Sequence, residues 1–142
     1  MGILVIPYHS PEYFEMLALR RKILREPLGL GFSEQDLQQE KDDVFIGCYE
    51  NERIVGCCIL TRLSSQTLKL RQMAVDRHSQ EKGIGANMAA FAERYAVAHG
   101  YAGIRLHARK TAEGFYKKCG YTGFGKEFIE VGIPHILMEK LL

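Results

Sequence analysis

Apolar residues in this chain switch between strand-like and helical spacing, and the switches divide it into elements. Ile3 to Tyr8 is a short apolar run stopped by Pro7 and the His9-Ser10 turn, which predicts a strand. Ser10 then stands as an N-cap, with Pro11 at the first helical position and Glu12 in the first turn. Tyr13, Phe14, Leu17 and Leu24 fall on one helical face until Pro27-Leu28-Gly29 ends the run. Ser33 is a second N-cap and opens a short acidic helix, Glu34 to Asp42. Val44 to Tyr49 and Arg53 to Leu63 read as strands around the polar turn Glu50-Asn51-Glu52, and Thr67 to Val75 as a third. Gly83 to His99 is helical, with Met88, Ala89, Ala92, Tyr95 and Ala96 on one stripe and Gly100 as its stop. Gly103 to Ala108 predicts a strand, Thr111 to Lys118 a short helix, and Tyr121 to Phe124 another strand. Phe128 to Leu142 closes the chain as a strand-like stretch interrupted by Gly132 and Pro134. Strands in front and β-helix-β-helix-β behind predict an α/β (α+β) protein with a mixed sheet.

Length and charge narrow the classes. A chain of 142 residues suits one core, and no repeat, low-complexity stretch or linker divides it, so one domain over 1–142 is expected. Nineteen Lys+Arg against seventeen Asp+Glu leave a formal charge of +2, too little to argue for a nucleic-acid partner. No apolar run approaches the roughly 18 residues of a membrane span, and the apolar start lacks the basic n-region of a signal peptide. Cys48, Cys57, Cys58 and Cys119 have no CxxC spacing, and neighbours Cys57 and Cys58 on a strand would face opposite ways. Reduced thiols in the cytoplasm are the expected state. The five histidines show no metal-ligand spacing, so no metal is expected, and no G-x-S-x-G points to a serine hydrolase.

Gln80-Glu81-Lys82-Gly83-Ile84-Gly85-Ala86 lies between a strand ending at Val75 and the long helix. Two glycines let backbone N–H groups converge, and the helix start adds partial positive charge, so the segment reads as a pyrophosphate cradle or a plain tight turn. A P-loop is excluded because no G-x-x-x-x-G-K-[ST] occurs. A dinucleotide fold is excluded because Ala86-Asn87-Met88 follows Gly85 and Ala102-Gly103-Ile104-Arg105 stands where an acid is needed.

Gln80-x-x-Gly83-x-Gly85 after a strand, with Phe115-Tyr116-Lys117-Lys118-Cys119-Gly120-Tyr121 downstream, resembles the GNAT superfamily of acyl-CoA-dependent N-acyltransferases. The strand Arg71-Gln72-Met73-Ala74-Val75 and the element order are similar too, so the resemblance spans essentially the whole chain. It implies a mixed, mostly antiparallel sheet flanked by helices and splayed at an acetyl-CoA cleft, between the strands ending at Val75 and Ala108. Acetyl-CoA would be the co-substrate and a primary amine, on a small molecule or a peptide, the acceptor. Hydropathy and net charge predict no membrane and no nucleic-acid partner, and a homodimer stays open.

The same resemblance implies site residues. Backbone groups of Met73, Ala74 and Val75 would bind the pantetheine arm, and those of Gln80, Glu81, Lys82, Gly83, Ile84, Gly85 and Ala86 the pyrophosphate. Tyr116 matches the family's acid for the departing thiolate, with a purely aromatic core role as the alternative. The strand carboxylate that some members use as base is missing from Leu68-Lys69-Leu70-Arg71-Gln72. His107, Glu127, Glu130 and His135 are left as candidate base or acceptor-binding groups, with water as another option. Arg109 replaces a family asparagine and, beside Lys110, Lys117 and Lys118, could meet CoA phosphates. Arg20 and Arg21 could bind an anionic acceptor, and the break at Gly132 and Pro134 would set Glu130 and His135 beside the acceptor pocket. The rival reading is a non-catalytic acyl-CoA-binding module.

Overall fold

The computed structural model describes residues 2–142. In chain order they form β1 (Gly2–Ile6), α1 (Pro11–Arg20), α2 (Glu34–Gln38), β2 (Val44–Glu50), β3 (Arg53–Arg62) and β4 (Thr67–Val75). There follow α3 (Ile84–Ala98), β5 (Gly103–Arg109), α4 (Glu113–Lys118), β6 (Thr122–Glu130) and β7 (Ile133–Leu141). The strands make one sheet in the order β1-β2-β3-β4-β5-β7-β6. All neighbours are antiparallel except β4 and β5, which are parallel across the α3 connection. This is the mixed sheet that the element order predicts and the mostly antiparallel one that the family resemblance implies.

Strand alternation sends side chains into two cores. Phe45, Cys57 and Ile59 pack with Tyr13, Met16 and Leu17 of α1, while Ile46, Cys58 and Leu60 pack with Met88, Ala92 and Ala96 of α3. Because both faces of β3 are covered, its middle reads as a continuous apolar run rather than an alternating one. The neighbouring thiols of Cys57 and Cys58 therefore lie in different cores.

Three elements depart from expectation, each for a local reason. The first helix is α-helical only to Arg20; it widens into a π turn over Arg21–Arg25, where the N–H of Glu26 bonds Arg21, and tightens to a 3-10 turn over Glu26–Leu28. Pro27 cannot donate to an α-helical acceptor, so the regular ladder fails before it. The acidic helix stops at Gln38 instead of Asp42, and a turn closed from Asp43 N–H to the Glu40 carbonyl follows it. At the end of the chain the expected interruption is a hairpin instead. Glu130 pairs with Ile133 around Val131 and Gly132, both at positive φ, as a two-residue I′ turn demands. Pro134 lies within β7, opposite Ile129.

Candidate active site

The parallel pair β4–β5 holds only over residues 67–70 and 103–106. Beyond that the strands part: Ala74 and Val75 keep their partners Cys57 and Gly56 on β3, while His107 and Arg109 keep Leu137 and His135 on β7. Among the described residues, the edges that face each other across the gap, including that of residues 73–75, have no strand partner and suit an extended ligand arm.

The parting starts at a bulge. Register between β3 and β4 shifts between Cys57 and Ile59, and Gln72 adopts φ +55. A left-handed non-glycine residue costs roughly 1–2 kcal/mol, so its surroundings must hold it. The Cys57 thiol donates to the Gln72 carbonyl at 3.8 Å, and Gln72 Oε1 accepts from Arg20 Nε at 3.3 Å. Burial pushes the Cys57 thiol up to about 12, so it stays a donor rather than a nucleophile.

Arg20 is fully buried and makes two hydrogen bonds to the Glu40 carboxylate, at 3.0 and 2.8 Å. Arg71 Nη1 reaches the same carboxylate at 2.8 Å and Asp43 at 3.3 Å. The expectation that Arg20 and Arg21 bind an acceptor is thereby corrected. The Arg20 guanidinium is taken up by Glu40 and Gln72, and Arg21 is exposed and contributes no wall to the cavity described below.

The glycine loop offers a ligand its main chain. Gln80 donates its side-chain amide to the Val75 carbonyl at 3.1 Å, Lys82 pairs with Glu50 at 3.3 Å, and the Ile84 side chain is buried in the α3 core. Glu81 and Gly83 are left-handed, at φ 73 and 76. The first helical bond of α3 runs from Asn87 N–H to the Gly83 carbonyl, so the N–H groups of Ile84, Gly85 and Ala86 have no intrahelical acceptor. Together with the helix dipole they form an anion cradle. A Cβ at Gly83 would meet only open space, although its φ resists one. A Cβ at Gly85 would come within 3.0 Å of Phe115 Cζ, so a larger residue there has to push the Phe115 ring aside. The two motifs quoted above are thus in contact.

A cavity of about 370 Å³ lies where β4 and β5 part. Leu24, which packs on the α1 core, and Tyr116, which belongs to the α3 core, both line it, so the cavity passes through the sheet. Tyr116 sits edge-on to Phe115 and Tyr121, with ring centroids 4.9 and 5.8 Å away. Burial, with the Cys58 and Cys119 thiols nearby, raises its phenol and keeps it protonated at neutral pH. The turn after α4 is fixed by Tyr121 donating to Glu93 at 3.1 Å and by Lys140 donating to Glu93 at 2.9 Å and to the Cys119 carbonyl at 2.8 Å.

Three of the four acid-base candidates meet in this cavity. His107 Nδ1 lies 2.8 Å from Glu130 Oε2, and the ring is edge-on to Phe128, which stacks on His135. His135 Nδ1 is 2.7 Å from the Ile133 carbonyl; a carbonyl only accepts, so Nδ1 is the donor, and in the neutral ring Nε2 is the acceptor. Glu127 stands apart, exposed and paired with Lys110 at 3.3 Å. The expected basic cluster is dispersed as well. Lys110 and Lys117 both bind Glu113, whereas Arg109 lines the cavity and donates to the Leu24 carbonyl at 3.4 Å. Arg25, Lys69 and Gln72 also line it, and sequence reasoning assigned none of them. Alternation of Lys69 and Arg71 with Leu68 and Leu70 was the signal for a polar face there; nothing local marks Arg25.

A mixed sheet opened at its parallel pair, with a glycine cradle on one flank and a through-going cavity, defines the acyltransferase class of α/β proteins. The model of the acetyltransferase (GNAT) domain matches residues 31–142, and the chain belongs to that family. The uncharacterized protein YyaT of Bacillus subtilis is 30% identical over 134 residues, covering 91% of this chain and 88% of its own. The uncharacterized N-acetyltransferase YjcF of the same organism is 28% identical over 137 residues, covering 96% and 97%. A solved aminoglycoside 6'-N-acetyltransferase complexed with coenzyme A shares the fold, with TM-score 0.82 at 17% identity over 99% of this chain and 97% of that one. Among the described residues no helix is long and apolar enough to cross a membrane, and no group of three or more His, Cys, Asp or Glu could hold a metal.

Proposed function

We propose that this protein transfers an acetyl group from acetyl-CoA to a primary amine by direct attack. The reading is carried by the passage through the sheet, which has a protonated phenol on one side and a His–Glu pair on the other. Acetyl-CoA, when bound, supplies the activated acyl carbon. The unbonded N–H groups of residues 84–86 and the open space at Gly83 fit its pyrophosphate, and the partnerless edge of residues 73–75 fits its pantetheine arm.

In this reading His107 takes the proton of the attacking ammonium at Nε2. Glu130 accepts from Nδ1 and so holds the ring in the tautomer this requires. A C–N bond forms, the C–S bond breaks, and Tyr116 donates a hydrogen bond to the departing sulfur. Complete proton transfer from a phenol held above its ordinary value of about 10 to a thiolate of ordinary pKa about 8.5 is uphill. Tyr116 therefore stabilises the leaving sulfur without giving up its proton outright.

Release of thiol from acetyl-CoA, followed with and without a panel of primary amines, tests the proposal. Amine-dependent release at least about tenfold above background hydrolysis is expected. Tight acetyl-CoA binding by calorimetry with no amine-dependent release makes the protein an acyl-CoA-binding module instead.

A further inference from the structure

Three cations on the cavity wall, Arg25, Lys69 and Arg109, have no carboxylate partner among the described residues. Most of their basic neighbours differ: Arg20 and Arg71 share Glu40, Arg105 holds Glu139 at 3.3 Å, and Lys110 holds Glu113 at 2.7 Å. Glu130 supplies the wall's one carboxylate, and it is already bound to His107. Arg25 and Arg20 both lie over the Phe32 ring, at 4.6 and 4.5 Å, so like charges converge on one spot. Burial and repulsion from Arg20, Arg71 and Arg109 outweigh the attraction of Asp36 and weaken the hold of Arg25 on its proton; at Lys69 burial outweighs the attraction of Glu130 to the same end. A site built this way is relieved by an anion.

That anion is not the pyrophosphate, because residues 80–86 supply no part of this wall. It has to arrive with the other substrate. We infer that the acceptor is a small amine bearing an anionic group, a carboxylate or a phosphate, and that Arg109 and Arg25 select it. The inference rests on the transferase reading above. His107 and Arg109 are two residues apart on one face of β5, about 7 Å along the strand, a span that a short aminoalkyl acid covers. The 370 Å³ volume suits a molecule of that size. A polycationic amine would meet three cations that have no ion-pair partner among the described residues.

Matched amines that differ only in the anion provide the test: β-alanine against its amide, and O-phosphoethanolamine against ethanolamine, with spermidine as polycation. The anionic member should have kcat/KM at least about tenfold above its neutral partner, the contribution of one charge-assisted hydrogen bond, with spermidine lowest. Which pair shows the larger ratio decides between carboxylate and phosphate. Arg109→Gln should collapse the ratio, chiefly through KM for the anionic amine, and Arg109→Lys should restore part of it. Arg25→Gln should act in the same direction. Amine-dependent release with ratios near one in the wild type, or ratios unmoved by both glutamine variants, overturns the inference and leaves the transferase reading standing. Should no amine drive release, titration with inorganic phosphate, read from the His107 and His135 ring resonances, decides it. Shifts present in the wild type and lost in Arg109→Gln support the anion site, and their absence overturns it.

Discussion

On the proposed reading, the donor and acceptor halves of the cleft are built in opposite ways. The donor half is nearly contiguous, residues 73–86 with α4 laid across them, and it offers main-chain N–H and C=O groups. The acceptor half is assembled from the segment after α1, β4, β5 and the β6–β7 hairpin, and it offers side chains. Main chain recognises a shape that any sequence with glycines in the right places can cradle. Side chains recognise charge, and one substitution can change what they accept.

The largest expected effect comes from the joint between the halves. Glu40→Ala leaves the Arg20 guanidinium buried without its carboxylate and should destabilise the fold by about 3–5 kcal/mol in denaturant titration. The double change Arg20→Met with Glu40→Leu should regain most of that loss. It also leaves left-handed Gln72 without its side-chain hydrogen bond, so KM for acetyl-CoA should rise while KM for the amine moves less. Equal shifts in both would deny that this joint serves the donor side.

Tyr116→Phe comes next, with turnover lowered about 10²-fold and acetyl-CoA affinity held within about twofold. The sign of its pH dependence follows from burial. Because the folded phenol titrates above its ordinary value, the wild-type rate should show no phenolic inflection below about pH 10. Unchanged turnover in the variant would reduce Tyr116 to packing. Smaller again is Gly85→Val, expected to weaken CoA binding about tenfold, or 1.4 kcal/mol. Pairing Gly85→Ala with Phe115→Leu separates two causes: recovered affinity assigns the defect to the Phe115 contact, and persistent weakness assigns it to the approach of the phosphate.

The same division governs what the sequence discloses. Gly83, Gly85 and Tyr116 stand at fixed offsets from a strand and a helix, so the family resemblance could be carried to them residue by residue. The convergence of His107 with Glu130, 23 positions apart, depends on how β5, β7 and β6 are ordered in the sheet, and spacing is blind to that. Glu127 looked equivalent to Glu130, but the register irregularity between Phe124 and Phe128 precedes the regular ladder that carries only Glu130 to the cavity. Arg20 misled for a related reason: on a helix face an arginine reads as surface, and its partner Glu40 belongs to a segment whose turn is not encoded by periodicity.

Val131 has a consequence for engineering. A β-branched residue at φ 47 sits in a conformation that disfavours it by roughly 1–2 kcal/mol, in a turn type that prefers Asn-Gly. The other two-residue turn in the sheet has Asn51 at its first position, with φ 51, and makes its concession at the second, where Glu52 is at φ 62. Val131→Asn should therefore raise the melting temperature. Val131 also lines the cavity, one residue from Glu130, so the same replacement puts an amide where the cavity wall has an isopropyl group. Heat resistance and substrate range are coupled at this one position, and a screen for either will enrich for changes in the other.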